Sequence, residues 1–278
     1  MVRFIQFSNN KNSPILGEGN EILPYTYFNL LKLRKGEHYS AHFRNHESVW
    51  VVMSGNCDFS VEDQKISGVG QRKDIWSGRA DSVYVGMDTA CTVTAGMDTE
   101  IAIAGGYTEQ KFPSFRILPE EVEMVDVGSQ ETHTHRQIFH ILGHNGQGRA
   151  GNLLVSELFC RGGNWSGYPA HKHDTENPSE ETAFEEVYHY RFNPENGFGG
   201  QFLFDTHLGY QAFMTKNGDT FAFSEGYHPT VTSPGHDEYI FTILVGKNQR
   251  SLIQNFREEY RYMMDKIPGI GAMRDKFK

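Results

Sequence analysis

Cysteine is scarce in this chain, and its spacing does not fit a metal-binding or disulfide framework. The 278 residues include three cysteines, Cys57, Cys91 and Cys160. Their number is odd, they lie far apart and none belongs to a Cys-x-x-Cys pair, which indicates reduced thiols. A disulfide-stapled miniprotein and a cysteine-based zinc framework are therefore excluded, and the three side chains are expected to be small buried residues.

Long apolar runs and basic stretches are also missing. No run approaches the roughly 18 apolar residues of a membrane-spanning helix, and the first residues lack the apolar centre of a secretory signal. These features predict a cytoplasmic protein without a membrane partner. The 26 Lys and Arg against 35 Asp and Glu give a net charge of −9 without a Lys/Arg-rich stripe, so a nucleic-acid partner is not expected.

The residues that are abundant favour β-strands and tight turns. The chain contains 29 Gly, 20 Phe and 13 Tyr but 10 Pro. Short apolar or alternating runs recur throughout and are bounded by Gly, Asn or Asp turns, a pattern typical of antiparallel sandwiches or barrels. We therefore predict an all-β protein. The runs are 25–33, 49–53, 82–87, 100–104, 153–159, 187–192, 202–205, 220–223 and 239–245.

One helix is predicted near the C-terminus, over about 249–267. Apolar residues recur there at every fourth position, which fits one face of a helix, and Pro268 and Gly269 follow as stop signals. The helix is expected to pack on a barrel face through its apolar stripe, Leu252, Phe256, Tyr260 and Met264.

The two halves of the sequence resemble one another weakly. His42 and Glu47 precede an apolar run in the first half, as His171 and Glu186 do in the second. Chance similarity between β segments is the alternative, but the elements follow in the same order. We predict two related barrels, an N-terminal one over 1–125 and a C-terminal one over 126–278.

The strongest chemical signal is His171-Lys172-His173. In a strand, residues two apart project to the same face, so both imidazoles can reach one ion. Glu186 begins a later strand and His228 follows a turn, so these two residues are placed to complete a ligand set with open positions. Structural histidines without a metal are the alternative.

A family resemblance covers these residues and their surroundings. The segment GNWSGYPAHKHD over 163–174, followed by FEEVY over 184–188 and GYHP over 226–229, resembles the 5-deoxy-glucuronate isomerase family of inositol catabolism, whose members are bicupins. Similarity is densest over 136–246. Ala170 and Ser224 stand where the family usually has proline, and 242–246 also departs from its pattern. None of these departures removes a candidate metal-binding residue, but they leave the identity of the sugar substrate undetermined.

The resemblance implies a metal-dependent aldose–ketose isomerase that converts 5-deoxy-D-glucuronate to 5-dehydro-2-deoxy-D-gluconate, with a small sugar acid as its partner. It also implies that zinc or manganese is held by four residues, His171, His173, Glu186 and His228. An isomerase of a related uronate or deoxy-sugar, a non-catalytic sugar-acid-binding bicupin and oxygen-dependent cupin chemistry are the alternatives, because one fold hosts many reactions.

Further residues are candidates for substrate contact and proton transfer. Arg136 can bind a substrate carboxylate with two parallel hydrogen bonds, and a surface salt bridge is the alternative. Tyr188 and Tyr190 share the strand face of Glu186, which is a compromised base if it binds metal; we assign catalysis to Glu186 and Tyr188. Tyr190, Gln201 and Tyr239 are candidates for hydroxyl contacts, with ordinary barrel lining as the alternative.

The remaining clusters carry weaker signals. The first half offers His42 and Glu47 but has Arg44 in place of a second histidine, which predicts a metal-free barrel that is structural or forms an interface. His133 and His135 form a second His-x-His pair, but no carboxylate follows at strand spacing. The acidic insert 174–185 is either a solvated segment or a rim of the site. Exposed sheet edges suggest a possible homo-oligomer.

Overall fold

A computed structural model describes residues 1–177, 179–207 and 209–271 of the chain. Strands and turns dominate these residues, which confirms the all-β prediction. Three short 3-10 helices lie at Pro119–Glu121, His144–Gly146 and Glu258–Met263. Among the described residues, no helix has the length and apolarity needed to cross a membrane.

The strands are numbered in chain order. They are β1 (Val2–Ile5), β2 (Thr26–Leu33), β3 (His38–Phe43), β4 (His46–Ser54), β5 (Cys57–Val61), β6 (Gln64–Val69), β7 (Asp81–Val85), β8 (Thr89–Ala95), β9 (Thr99–Tyr107), β10 (Phe115–Ile117), β11 (Glu123–Val127), β12 (Arg136–Leu142), β13 (Leu153–Arg161), β14 (Trp165–Ser166), β15 (His171–Lys172), β16 (Phe184–Asn193), β17 (Phe198–Thr206), β18 (Gly209–Lys216), β19 (Thr220–Phe223), β20 (Thr230–Thr232), β21 (Asp237–Gly246) and β22 (Asn255–Phe256).

The chain divides into two compact units. The first unit consists of Asn9–Glu123 and Ile141–Val155, and the second of Met1–Ser8, Met124–His140 and the described part of Ser156–Lys278. Each unit therefore includes a short segment from the opposite half of the sequence.

The first unit is formed by two antiparallel sheets. The larger has the order β10-β7-β4-β9-β2 and the smaller the order β3-β8-β5-β6. Apolar side chains of both sheets form one core, in which the Trp50 and Phe59 rings meet edge to face with their centroids 5.8 Å apart. β8 alternates between buried and exposed residues, as expected for a strand with one face on the core.

The second unit contains a seven-stranded sheet, a four-stranded sheet and a two-stranded pair. Their orders are β1-β19-β16-β21-β13-β12-β11, β14-β20-β17-β18 and β15-β22. β16 and β21 pair over ten residues, and their register sets Glu186 opposite Leu244 and Tyr188 opposite Thr242. Because residues two apart share a face, this register directs a carboxylate and a phenol to the same side of the sheet.

The predicted C-terminal helix is wrong. Within 249–267 the structure has the short strand β22, paired to β15, and the 3-10 helix Glu258–Met263. Leu252, Gln254 and Phe256 are buried while the residues between them are partly exposed, which is the period of a strand. A spacing of four residues fits both one helix face and one strand face, so the apolar pattern did not distinguish them.

Candidate metal centre

Three ligand-type side chains converge inside the second unit. His173 Nε2 lies 2.8 Å from Glu186 Oε2, and His228 Nε2 lies 3.3 Å from the same oxygen. The ligand atoms of the three residues lie within 4.8 Å of one another, and all three side chains are buried. Two imidazoles and a carboxylate in this arrangement form a group that could hold a metal ion.

His171 lies beside this group, but its Nε2 faces Gln254. The ring centroids of His171 and His173 each lie 5.0 Å from the ring centroid of His228. The Nδ1 of His171 lies 3.3 Å from the carbonyl oxygen of Pro169, and its Nε2 accepts a hydrogen bond of 2.9 Å from the Gln254 amide nitrogen. The structure therefore brings three of the four predicted ligands into one group, and the fourth, His171, lies beside them with its Nε2 hydrogen-bonded to a glutamine.

A tight turn orients His228. Gly226 has a φ of +85°, and a Cβ atom there would lie 2.6 Å from Thr206 Cγ2 and 2.8 Å from the Phe204 carbonyl oxygen. Only glycine fits this position without displacing its neighbours. The Gly226 carbonyl accepts a hydrogen bond of 2.8 Å from His228 Nδ1. This bond fixes the tautomer and leaves the lone pair on Nε2, as is usual for metal-binding histidines.

Asp174 ties this turn to the His-x-His segment. Its Oδ2 accepts a hydrogen bond of 2.8 Å from the Gly226 N–H, and its Oδ1 lies 2.5 Å from Lys172 Nζ. Burial raises the pKa of Asp174, but the hydrogen bonds from Gly226 and Lys172 outweigh this effect and lower the pKa to about 2. Glu181 also accepts hydrogen bonds, from the backbone N–H groups of Asp174 and Thr175. Part of the acidic insert is thus built into the site.

The electrostatics of the group favour a cation. Burial raises the pKa of Glu186, yet the His173 hydrogen bond and the nearby His228 outweigh it and lower the pKa to about 2. Burial, followed by His228 and His173, holds the pKa of His171 well below its ordinary value. For His173, burial is outweighed by the Glu186 hydrogen bond, which raises the pKa. A positive charge between these residues is therefore balanced by an ionised carboxylate.

The same residues fit a divalent metal. His228 Nε2 is buried and forms no aligned hydrogen bond to any described atom, so its lone pair receives no hydrogen bond from the part of the chain that the structure describes. A buried polar atom without a partner is costly and calls for an explanation. Imidazole nitrogens with one carboxylate suit zinc, manganese or iron. His173, Glu186 and His228, joined by His171 once it releases Gln254, would hold the ion.

A cavity of about 480 Å³, measured with its open mouth, adjoins the group. β12, β13 and β21 each contribute one polar and one apolar residue to its walls. The lining residues are Arg136, Ile138, Ser156, Leu158, Ser166, Gly167, His171, His173, Glu186, Tyr188, Thr242, Leu244, Leu252 and Gln254.

Arg136 places a cation in this cavity. Its side chain is 2% exposed and donates hydrogen bonds to the carbonyl oxygens of Thr134, at 2.9 Å, and Tyr168, at 3.2 Å. Burial lowers its pKa to about 10, so it stays protonated at neutral pH. No carboxylate in the described part of the chain pairs with it. A buried guanidinium with spare donors is suited to an anionic ligand.

Tyr188 is a neutral phenol on the cavity wall. Burial, followed by the negative charge of Glu186, raises its pKa well above the ordinary value, and Arg136 opposes this shift only weakly. In this state it donates a hydrogen bond or a proton and does not act as a base.

Three other predicted contact residues are not among the described residues that line the cavity. Tyr190 donates to Gln201 Oε1 at 2.6 Å, and Gln201 Nε2 donates to the His228 carbonyl at 3.0 Å. These two side chains support the backbone that carries His228. Tyr239 donates to Glu157 at 2.8 Å.

The weaker histidine clusters do not converge. His133 is exposed, and His135 pairs with Asp126 at 2.8 Å. In the first unit, His42 is exposed, and its Nε2 lies 2.9 Å from Asp88 Oδ1. Glu47 is buried and accepts hydrogen bonds from the Tyr84 hydroxyl and from the backbone N–H groups of 151 and 153. Among the described residues, the one group with the spacing of metal ligands is His173, Glu186 and His228.

Two units of antiparallel sheets, one of which holds a His-x-His pair with a glutamate and a distant histidine, define a bicupin. Solved structures with the same fold include oxalate decarboxylase from Bacillus subtilis, with a TM-score of 0.59 and 10% identity over 99% of this chain and 85% of that one. This likeness concerns the fold alone.

The chain belongs to the KduI/IolB family, whose sequence profile matches residues 5–263. It is 32% identical over 258 residues to the 5-deoxy-glucuronate isomerase of Geobacillus thermodenitrificans, covering 88% of this chain and 90% of that one. It is 28% identical over 240 residues to the same-named protein of Bacillus licheniformis, covering 86% and 88%. An IolB-like protein from Salmonella typhimurium superposes with a TM-score of 0.82 at 28% identity, over 91% and 97%. The predicted family is confirmed.

Sequence reasoning missed two residues of the site. Asp174 was grouped with the acidic insert, and Gln254 lay inside the predicted helix. Alternation of Leu252, Gln254 and Phe256 is the signal that would have identified Gln254 as inward-facing.

Proposed function

We propose that this protein is a metal-dependent aldose–ketose isomerase that converts 5-deoxy-D-glucuronate to 5-dehydro-2-deoxy-D-gluconate in myo-inositol catabolism. The observation that carries the proposal is a cavity lined by His173 and Glu186 of the metal-type group and also by the unpaired cation Arg136. The names of the relatives point to the same reaction.

We propose that the metal site binds the C1–C2 end of the substrate. We assign zinc or manganese to His171, His173, Glu186 and His228, because imidazole and carboxylate ligands suit these ions. When bound, the ion supplies a Lewis acid for the carbonyl group of an aldose and its neighbouring hydroxyl. The register of β16 and β21 holds Glu186 and Tyr188 on the same wall of the cavity.

We propose that Arg136 binds the carboxylate at the other end of the substrate. A sugar acid carries its carboxylate at C6, far from the reacting C1 and C2 atoms. The guanidinium is buried, cationic and without a carboxylate partner in the described part of the chain, so a substrate carboxylate would supply the missing charge. Two-point attachment of this kind holds the reacting carbons in one orientation.

Isomerisation moves one hydrogen from C2 to C1 and one hydroxyl proton from the oxygen on C2 to the oxygen on C1. The raised pKa of Tyr188 keeps its phenol protonated, so it can first donate this proton to the oxygen on C1 and then recover one from the hydroxyl on C2. We assign to Glu186, which is ionised and buried, the removal of the C2 hydrogen as a proton and its return to C1. Gln201 and Tyr190 would act by holding the His228 backbone, and Tyr239 by bracing β13 through Glu157.

We assign the metal to the second unit alone. Support comes from the first unit, where His42 bonds to Asp88 and the Glu47 carboxylate is satisfied by a hydroxyl and two backbone N–H groups. Elemental analysis of the metal-replete protein is expected to return one ion per chain, and two ions would overturn this assignment.

The activity is tested by incubating metal-replete protein with 5-deoxy-D-glucuronate and following the C1 and C2 signals by NMR. We expect the 2-keto isomer to form, chelation to abolish it, and zinc or manganese to restore it. Glu186→Gln should lose turnover, whereas the exposed Glu62→Gln should not. Product from another uronate but not from this one would redirect the substrate assignment. Ligand-induced thermal stabilisation without product would indicate a binding protein.

The setting of the protein is also part of the proposal. We expect it in the cytoplasm, where small catabolic sugar acids are handled, and cell fractionation tests this. Self-association through exposed sheet edges is tested by sedimentation.

A further inference from the structure

Gln254 places a primary amide in the cavity, and half of that amide has no partner. The side chain is 9% exposed and lines the cavity together with His171 and Glu186. Its Nε2 donates to His171 Nε2 at 2.9 Å, whereas its Oε1 is buried without a hydrogen-bond partner among the described atoms. A buried acceptor without a partner is costly, so a ligand that donates a hydrogen bond to it would bind favourably.

The backbone holds Gln254 in this place on both sides. Ile253 N–H donates to Thr182 Oγ1 at 2.8 Å, and the Ile253 carbonyl accepts from the Thr182 N–H at 3.0 Å. On the other side, Phe256 pairs with His171 in the β15–β22 ladder. The approach of the amide to His171 is therefore a consequence of strand pairing and not of a mobile loop.

The hydrogen bond between Gln254 and His171 competes with metal binding. His171 Nδ1 faces the Pro169 carbonyl at 3.3 Å and so carries the proton, which leaves one lone pair on Nε2. That lone pair can accept a hydrogen bond from Gln254 or bind a cation, but not both. Once His171 binds a metal, the Gln254 amide presents an acceptor and its donors to the cavity. A hydroxyl group, which both donates and accepts, matches this pair.

We propose that Gln254 caps His171 in the metal-free protein and binds a hydroxyl group of the sugar acid in the metal-loaded protein. This inference rests on the proposed function. It gives the cavity two different polar contacts for its ligand, the Arg136 cation for the carboxylate and the Gln254 amide for a hydroxyl. A site that hydrogen-bonds a hydroxyl rejects analogues that lack it, so Gln254 determines specificity.

The test compares Gln254→Leu with Gln249→Leu. Gln249 belongs to the same segment and bonds to Glu176 at 3.2 Å, but it is not among the described cavity residues. Competition with a chromogenic chelator measures the affinity for Zn²⁺ and Mn²⁺, and KM is measured on metal-saturated protein. Gln254→Leu should bind metal about three- to tenfold more tightly and raise KM for 5-deoxy-D-glucuronate about three- to tenfold, the range for one hydrogen bond. Gln249→Leu should change neither value.

Opposite shifts in the two affinities separate this role from a structural one. Unchanged or weaker metal binding in Gln254→Leu would overturn the cap, and an unchanged KM would overturn the hydroxyl contact. If the wild-type protein has no isomerase activity, the proposed function fails, while the metal-affinity measurement still decides whether Gln254 caps His171. Gln254→Asn, which keeps the amide but withdraws it by one methylene, should give the same directions if the leucine variant does not fold.

Discussion

Glu238 is a buried acid whose protonation should control stability. Its side chain is 0% exposed, and its Oε2 accepts a hydrogen bond of 2.9 Å from Thr232 Oγ1. Its Oε1 has no hydrogen-bond partner among the described atoms. Burial raises its pKa to about 7, and the Thr232 hydrogen bond only partly opposes this. The folded protein therefore holds this proton more tightly than the unfolded chain, where the ordinary pKa is 4.5.

The sign and the size of the effect follow from this difference. Between pH 4.5 and 7, unfolding releases the proton, so raising the pH favours the unfolded chain. The loss of folding stability caused by ionising Glu238 is absent below pH 4.5 and complete above pH 7. At about 1.36 kcal/mol for each unit of pKa, it reaches about 3 kcal/mol. Glu238→Gln removes the titrating group while keeping the shape of the side chain.

Thermal or urea unfolding at pH 5 and pH 8 measures the effect. We expect Glu238→Gln to be close to wild type at pH 5 and more stable by up to about 3 kcal/mol at pH 8. Glu258→Gln, a matched substitution at a residue whose side chain is 80% exposed, should follow the wild type at both values. Equal stability of Glu238→Gln and wild type at pH 8 would show that Glu238 ionises freely in the fold and refute the reasoning.

Three further predictions concern the site. Gly226→Ala should weaken metal binding about tenfold or more, because the new Cβ meets Phe204 and Thr206 and displaces the carbonyl that orients His228; unchanged affinity in a chelator competition would contradict this. Asp174→Ala should weaken metal binding about 10- to 100-fold, since it removes the acceptor of the Gly226 N–H; an exposed Asp63→Ala control should have no effect. Arg136→Met should lower kcat/KM for the sugar acid about 10- to 100-fold without lowering the melting temperature, because it removes a buried unpaired charge. A large loss of melting temperature would instead give Arg136 a structural role.

Local patterns in the sequence were enough to predict much of this protein. Alternating aromatic and β-branched runs between glycine turns predicted the all-β fold, because strand periodicity depends on neighbouring residues. The His-x-His segment predicted two imidazoles on one face for the same reason. Glu186 and His228 were assigned from their place at a strand start and after a Gly-containing turn, and the family resemblance added support.

Tertiary structure decided what depends on pairing between distant segments. Residues 252–256 are extended because β22 pairs with β15, some 80 residues away, and no local pattern distinguishes this from a helix. The same pairing brings Gln254 to His171. Tyr190 shares a strand face with Glu186 and Tyr188, but its distance from the cavity depends on the register of β16 with neighbouring strands. The sequence by itself determined which residues carry the chemistry, and the fold decided which of them reach the cavity.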